Sequence, residues 1–93
     1  MTDQNTYAVI KDQTLNLLRR LPKGDLINRP LIKKYMFANI SRYGVSKSNW
    51  FSLTEGKNYN PHQRGPHAVD WAFNTASKLG YIKKVNHGLW EVV

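Results

Sequence analysis

Five polar or aromatic side chains recur at helical spacing late in the chain: His67, Asp70, Trp71, Asn74 and Lys78. At about 100° per residue, steps of three and four place them on one side of a helix. The set matches the chemistry of base-pair edges. An Asn amide pairs with N6 and N7 of adenine, a carboxylate accepts from N4 of cytosine, and Lys reaches guanine or a phosphate. The start of the same helix, after Gln63-Arg64-Gly65, offers free backbone N–H groups to an anion. Plainer roles stand beside these. Asp70 complements the helix dipole, Asn74 is a solvated position, and His67 is a hydrogen-bonder near the cap rather than a titrating switch.

More cations flank this stretch. Lys83, Lys84, Asn86 and His87 surround an Asn-x-Gly turn, where they either follow phosphates or guard edge strands from aggregation. Arg29, Lys33 and Lys34 lie near the start of the second helix. In helix-turn-helix geometry that helix crosses the nucleic-acid backbone, so at least one of the three is expected on a phosphate. Fourteen Lys and Arg against six Asp and Glu leave a net charge of +8. The excess is uneven: between residues 19 and 47 eight basic residues face only Asp25. Polyanions are the expected partners of such a chain. Lysines kept only for solubility do not explain the concentration.

Little points to catalysis. Without cysteine there is no thiol nucleophile, disulfide or cysteine-ligated zinc. His62, His67 and His87 do not follow a metal-site spacing. Glu55-Gly56-Lys57 has the E-x-K form found in nuclease cores, but it sits in a turn-rich loop with no upstream carboxylate on a recognisable strand. No glycine-rich phosphate cradle is present. The expectation is a binding protein, with no enzyme activity, no cofactor and no metal. No apolar run is long enough to cross a membrane. The polar start, Met-Thr-Asp-Gln-Asn, leads into no apolar signal segment, so a cytoplasmic, nucleoid-associated location is expected.

The elements that must position these residues follow from periodicity. At 41% hydrophobic, the 93 residues are too apolar for a disordered tail and are expected to form a single domain, 1–93. Tyr7, Ile10, Thr14, Leu17, Leu18 and Leu21 mark an amphipathic helix over residues 5–21, ended by Pro22-Lys23-Gly24. Residues 25–27 read as a short strand. Asn28 caps a second helix with Pro30 in its first turn; Leu31, Ile32, Tyr35, Met36 and Ile40 form its buried stripe, and Gly44 ends it after Tyr43. Residues 44–65 carry no clear pattern, although Trp50, Phe51 and Leu53 form an apolar knot with room for one helical turn. A third helix covers about 66–79, its core side set by Val69, Ala72, Phe73, Ala76 and Leu79. Residues 81–85 and 89–93 make a hairpin.

The order helix, strand, helix, loop, helix, hairpin is that of a winged helix-turn-helix: an α+β fold of three helices, a small antiparallel sheet and a C-terminal wing. Residues 71–82, Trp-Ala-Phe-Asn-Thr-Ala-Ser-Lys-Leu-Gly-Tyr-Ile, and His87-Gly88-Leu89-Trp90 add a resemblance. Over about residues 66–93 the chain resembles the N-terminal winged-helix domain of Mrr-type restriction endonucleases, and the winged-helix modules of methyl-dependent restriction enzymes. In that family a Trp-Ala pair opens the recognition helix, and Gly, an apolar residue and an aromatic begin the last strand. The family's Arg three residues before the Trp is Ala68 here, with Arg64 and His67 nearby. The resemblance implies a DNA-binding module and, since the nuclease domain is absent, no cleavage. It also implies a structural place for Trp71 beneath the wing, whereas the helical wheel puts Trp71 outside the core.

The expected function is therefore binding of double-stranded DNA. A recognition helix (about 66–79) enters the major groove and a basic wing (about 81–93) lies beside it. The use is either reading modified DNA or small-scale regulation, with a separate protein effector or nuclease domain as a further partner. A monomer or weak homodimer is expected, because no dimerisation helix follows Val93. Two alternatives stay open. One is a protein-interaction adaptor, favoured if Trp50 and Phe51 are exposed. The other is a binder of structured RNA.

Overall fold

The computed structural model describes residues 3–54 and 61–93. The Glu55-Gly56-Lys57 tripeptide lies outside the described residues. Those described form an α+β arrangement: α1 (Asp3–Arg20), β1 (Leu26–Ile27), α2 (Arg29–Ala38), a 3₁₀ turn (Ile40–Tyr43), α3 (Lys47–Phe51), α4 (Arg64–Lys78), β2 (Ile82–Asn86) and β3 (Leu89–Val92). The three strands form one antiparallel sheet in the order β1-β3-β2.

Helix α1 buries Thr6, Ile10, Thr14 and Leu18, with Tyr7, Leu17 and Leu21 packed at the edges of the stripe. Thr14 is tolerated inside because its hydroxyl donates to the Ile10 carbonyl at 2.6 Å. The carboxamide of Asn28 caps α2 as expected, accepting from the Leu31 N–H at 2.8 Å. The rest of the second helix differs from expectation. It stops at Ala38, because Asn39 leaves the helical region and its side chain donates back to the Tyr35 carbonyl at 2.8 Å. The chain continues only as the 3₁₀ turn. Ile32, Met36 and Ile40 are buried, but Leu31 and Tyr35 are exposed. They sit a step ahead of the buried positions around the helix, on an open groove shared with Leu26 and Ile27 of β1.

The stretch without a clear pattern contains a fourth helix. Ser46 caps α3 by accepting from the Asn49 N–H at 3.1 Å. Trp50, expected to be exposed in the adaptor alternative, is only 3% exposed and belongs to the core, while Phe51 is half exposed. Beyond α3, the Leu53–Gln63 bridge and the bond from Thr54 N–H to the His62 carbonyl, 2.8 Å, bring both sides of the segment together.

Helix α4 is the central element. Ala68, Val69, Ala72, Phe73 and Ala76 are buried on one side of it. Leu79, expected among them, is 57% exposed. It is the first residue past the helix, and Gly80 at φ +82° turns the chain toward β2 before Leu79 can face inward. Ile82, Trp90 and Val92 carry the sheet's inner face onto α4. Across β2 and β3, Lys83 stands opposite Glu91 and Lys84 opposite Trp90, followed by an irregularity at Val85.

Gly65 lies flat against Trp50: a Cβ there would come within 2.2 Å of the indole ring. Gly65→Ala should gain helix propensity and lose more through overpacking, for a net loss of about 1–2 kcal/mol. Urea unfolding followed by tryptophan fluorescence measures it. An unchanged or raised midpoint would contradict this packing.

Candidate nucleic-acid interface

The outward side of α4 carries His67, Asp70, Trp71, Asn74 and Lys78, as the spacing implied, but its halves differ chemically. On the α2 and sheet side, Lys33 Nζ lies 3.0 Å and Arg29 Nη1 3.7 Å from Asp70 Oδ1. These are charge contacts without hydrogen-bond geometry. Arg29 Nη2 donates to Asn74 Oδ1 at 3.2 Å. The guanidinium also lies over the Trp90 ring at 5.0 Å and the Phe73 ring at 5.8 Å. Lys84 Nζ is 5.8 Å from the Trp90 centroid. A recess of about 350 Å³ opens here, lined by Arg29, Phe73, Asn74, Ser77, Lys78, Lys84 and Trp90. A second, of about 280 Å³, shares Arg29, Lys84 and Trp90 and reaches His87 at the hairpin tip.

On the α1 side, Tyr7, Thr54, His62, His67 and Trp71 line a cavity of about 520 Å³. His62 and His67 stack in parallel, with centroids 4.6 Å apart and planes 3° from each other. Trp71 meets His67 edge-on, and its Nε1–H donates to His67 Nε2 at 2.9 Å. Burial, the His62 imidazole and Lys33 hold His67 below the ordinary histidine value of 6.5, against a smaller upward pull from Asp70. Burial also raises the Tyr7 phenol. A neutral His67 is what the indole bond requires, since a protonated Nε2 has no lone pair to accept with.

Several expected roles change. Asp70 does not serve the helix dipole, because α4 begins at Arg64 and Asp70 falls in its second turn, beyond the dipole's range. Trp71 is 43% exposed and not beneath the wing. That place belongs to Trp90, whose ring meets Phe73 edge-on at 5.1 Å. Arg29 and Lys33 are turned to Asp70 rather than left free for phosphate. Arg64 donates to the Leu53 carbonyl and the Ser52 hydroxyl, fastening α4 to the end of α3. Asn86 Oδ1 accepts from the His87 N–H at 2.8 Å and shapes the turn. Lys34, Lys78 and Lys84 make no ion pair among the described residues. Ala68, where the resembling family carries Arg, is fully buried, so no ligand contact starts there.

Sequence reasoning missed Ser77, Phe73 and Trp90 as walls of the recess. It also missed Tyr7, Thr54 and His62 as walls of the cavity. Ser77 was legible, three residues after Asn74; the others arrive from elements distant in sequence. Among the described residues no three His, Asp or Glu side chains converge as metal ligands. No helix there is long and apolar enough to cross a membrane. No protein-family model, curated protein or solved structure matches the chain.

The His67–Trp71 bond has a pH signature. Below 6.5 the unfolded chain takes up a proton that the folded chain still refuses. This contribution to stability is therefore complete above that pH and is lost as pH falls through the lowered pKa. In an NMR titration the His67 ring should titrate below 6.5, with the Trp71 indole N–H moving at the same midpoint. A midpoint at or above 6.5, or an indole signal that ignores it, would contradict the arrangement.

Proposed function

We propose that this chain is a winged-helix module that binds double-stranded DNA, with α4 in the major groove and the β2–β3 hairpin as the wing. The observation that carries the reading is the recess between α4 and the hairpin. There Asn74, Ser77, Lys78 and Lys84 line one opening of a chain whose net charge is +8. Hydrogen-bonding side chains on a helix flanked by cations are what a base-reading surface needs. The element order supports it too. A helix, a strand, two further helices with short turns and a helix lead to a hairpin, with β1 paired to the hairpin's second strand.

In this reading Lys34, Lys78 and Lys84 touch phosphates, and His87 lies at the wing tip. Arg29 and Lys33 hold the helix face together and supply field rather than direct contacts. Trp71 presents an apolar edge to a thymine methyl or a methylated base. The module acts by binding, and any cleavage belongs to a separate domain. Duplex RNA fits less well, because its deep, narrow major groove does not admit a helix.

Fluorescence anisotropy with labelled duplexes across a salt series tests the reading. Three phosphate contacts, from Lys34, Lys78 and Lys84, give a log-affinity against log-salt slope of about −3. Lys78→Ala and Lys84→Ala should each flatten the slope by about 1. Asp70→Asn should act in the opposite sense, strengthening binding severalfold, because it removes a like charge from the face and releases Lys33. Absence of binding at low salt, or tighter binding to matched duplex RNA, would overturn the proposal.

A further inference from the structure

We infer that the recess beside α4 is built to read guanine, an inference that rests on the DNA-binding reading above. Spacing alone offers Asn74 to adenine and Asp70 to cytosine. Both pairings need an acceptor from the protein, and in each the acceptor already faces a cation of the chain. Asn74 Oδ1 takes the Arg29 Nη2–H at 3.2 Å. Asp70 Oδ1 faces Lys33 at 3.0 Å and Arg29 at 3.7 Å.

Arg29 is not free to swing away. Its guanidinium is fixed over Trp90 and Phe73, and its Nε is buried. The bond to Arg29 thus sets the orientation of the Asn74 amide, holding the oxygen toward α2. The amide NH₂ has no partner among the described residues, and Asn74 lines the recess. The other polar side chains around it, Ser77, Lys78 and Lys84, carry donors. Ser77 Oγ and the second lone pair of Asn74 Oδ1 can still accept, but donors outnumber acceptors on this surface.

Of the four bases, only guanine shows two acceptors, O6 and N7, in the major groove with no donor of its own. Adenine and cytosine bring an amine that must compete with Arg29 and Lys33 for the oxygens of Asn74 and Asp70. Thymine brings one acceptor beside a methyl group. Arg29 is on this account a positioning residue for specificity, acting through Asn74.

The test uses the whole chain and three duplexes of one sequence, carrying guanine, 7-deazaguanine or hypoxanthine at every guanine position. The first substitution removes the N7 acceptor; the second keeps the major-groove edge and removes only the minor-groove amine. The expected result is about tenfold weaker binding to the 7-deazaguanine duplex and unchanged binding to the hypoxanthine duplex. Asn74→Ala should lose this discrimination while still binding. Arg29→Gln should reduce it, with circular dichroism verifying the fold. Equal binding to all three duplexes by the unaltered chain overturns the guanine inference and leaves the DNA-binding reading standing. No binding to any duplex at low salt overturns both.

Discussion

Trp90 lies where the molecule's layers meet, and the positions of its neighbours depend on it. It occupies β3, the middle strand, with Ile27 of β1 on one side and Lys84 of β2 on the other. Its inner edge meets Phe73 of α4. Arg29, in the first turn of α2, covers both rings. One indole thus ties the sheet to the long helix and supplies the surface on which a cation rests. Such a contact is worth about 1–2 kcal/mol when partly shielded from water. A guanidinium over aromatic faces still needs acceptors in its own plane; Asn74 supplies one, and Asp70 adds a charge contact without a hydrogen bond. The polar pattern on α4 is in this sense a consequence of the Trp90 packing.

That constraint explains why the two halves of the α4 face differ. Toward its C-terminus the helix borders the sheet, and the nearby cations Arg29 and Lys84 both lie against the Trp90 ring. Toward its N-terminus it borders α1 and the end of α3, where the polar groups are imidazoles, a phenol and an indole. There burial and the stacked His62 ring disfavour a charge on His67. The face therefore grades from an aromatic end, where His67 resists protonation, to a cationic end.

Much of the fold was legible because the information was local. The α1 and α4 stripes repeat every three or four residues, Asn28 and Pro30 announce a helix start, and Asn-x-Gly announces the hairpin turn. The failures occurred where local and distant forces compete. Asn39 carries a side chain that can bond its own backbone, and it broke a pattern that apolar spacing alone would continue to Tyr43. Leu79 follows the α4 period and is exposed, because Gly80 redirects the chain there. Helix α3 is too short to show a period, and only the apolar knot of Trp50, Phe51 and Leu53 hinted at a helical turn there. Trp50 could not be placed, because its burial depends on Gly65 fifteen positions away leaving room for a flat ring. At the site, the spacing showed which residues share a face. It could not show that Arg29, forty-five positions from Asn74, would claim the Asn oxygen.

The engagement of Arg29 and Lys33 inside the protein leaves the electrostatic case intact. Asp70 and Glu91 are the acidic residues in the ion pairs described here, and each is about one third exposed, where such pairs contribute at most about 1 kcal/mol. Their role is geometric: they set where Arg29, Lys33 and Lys83 point. With fourteen basic and six acidic residues, no pairing scheme can neutralise the chain. The excess is a property of the whole surface and attracts a polyanion from a distance, falling off over a screening length of about 10 Å at moderate salt. Specificity must then come from the few side chains whose donors are oriented before the ligand arrives. In the proposed reading those are the groups around the Arg29–Asn74 bond, while the long-range field belongs to the cationic surface as a whole.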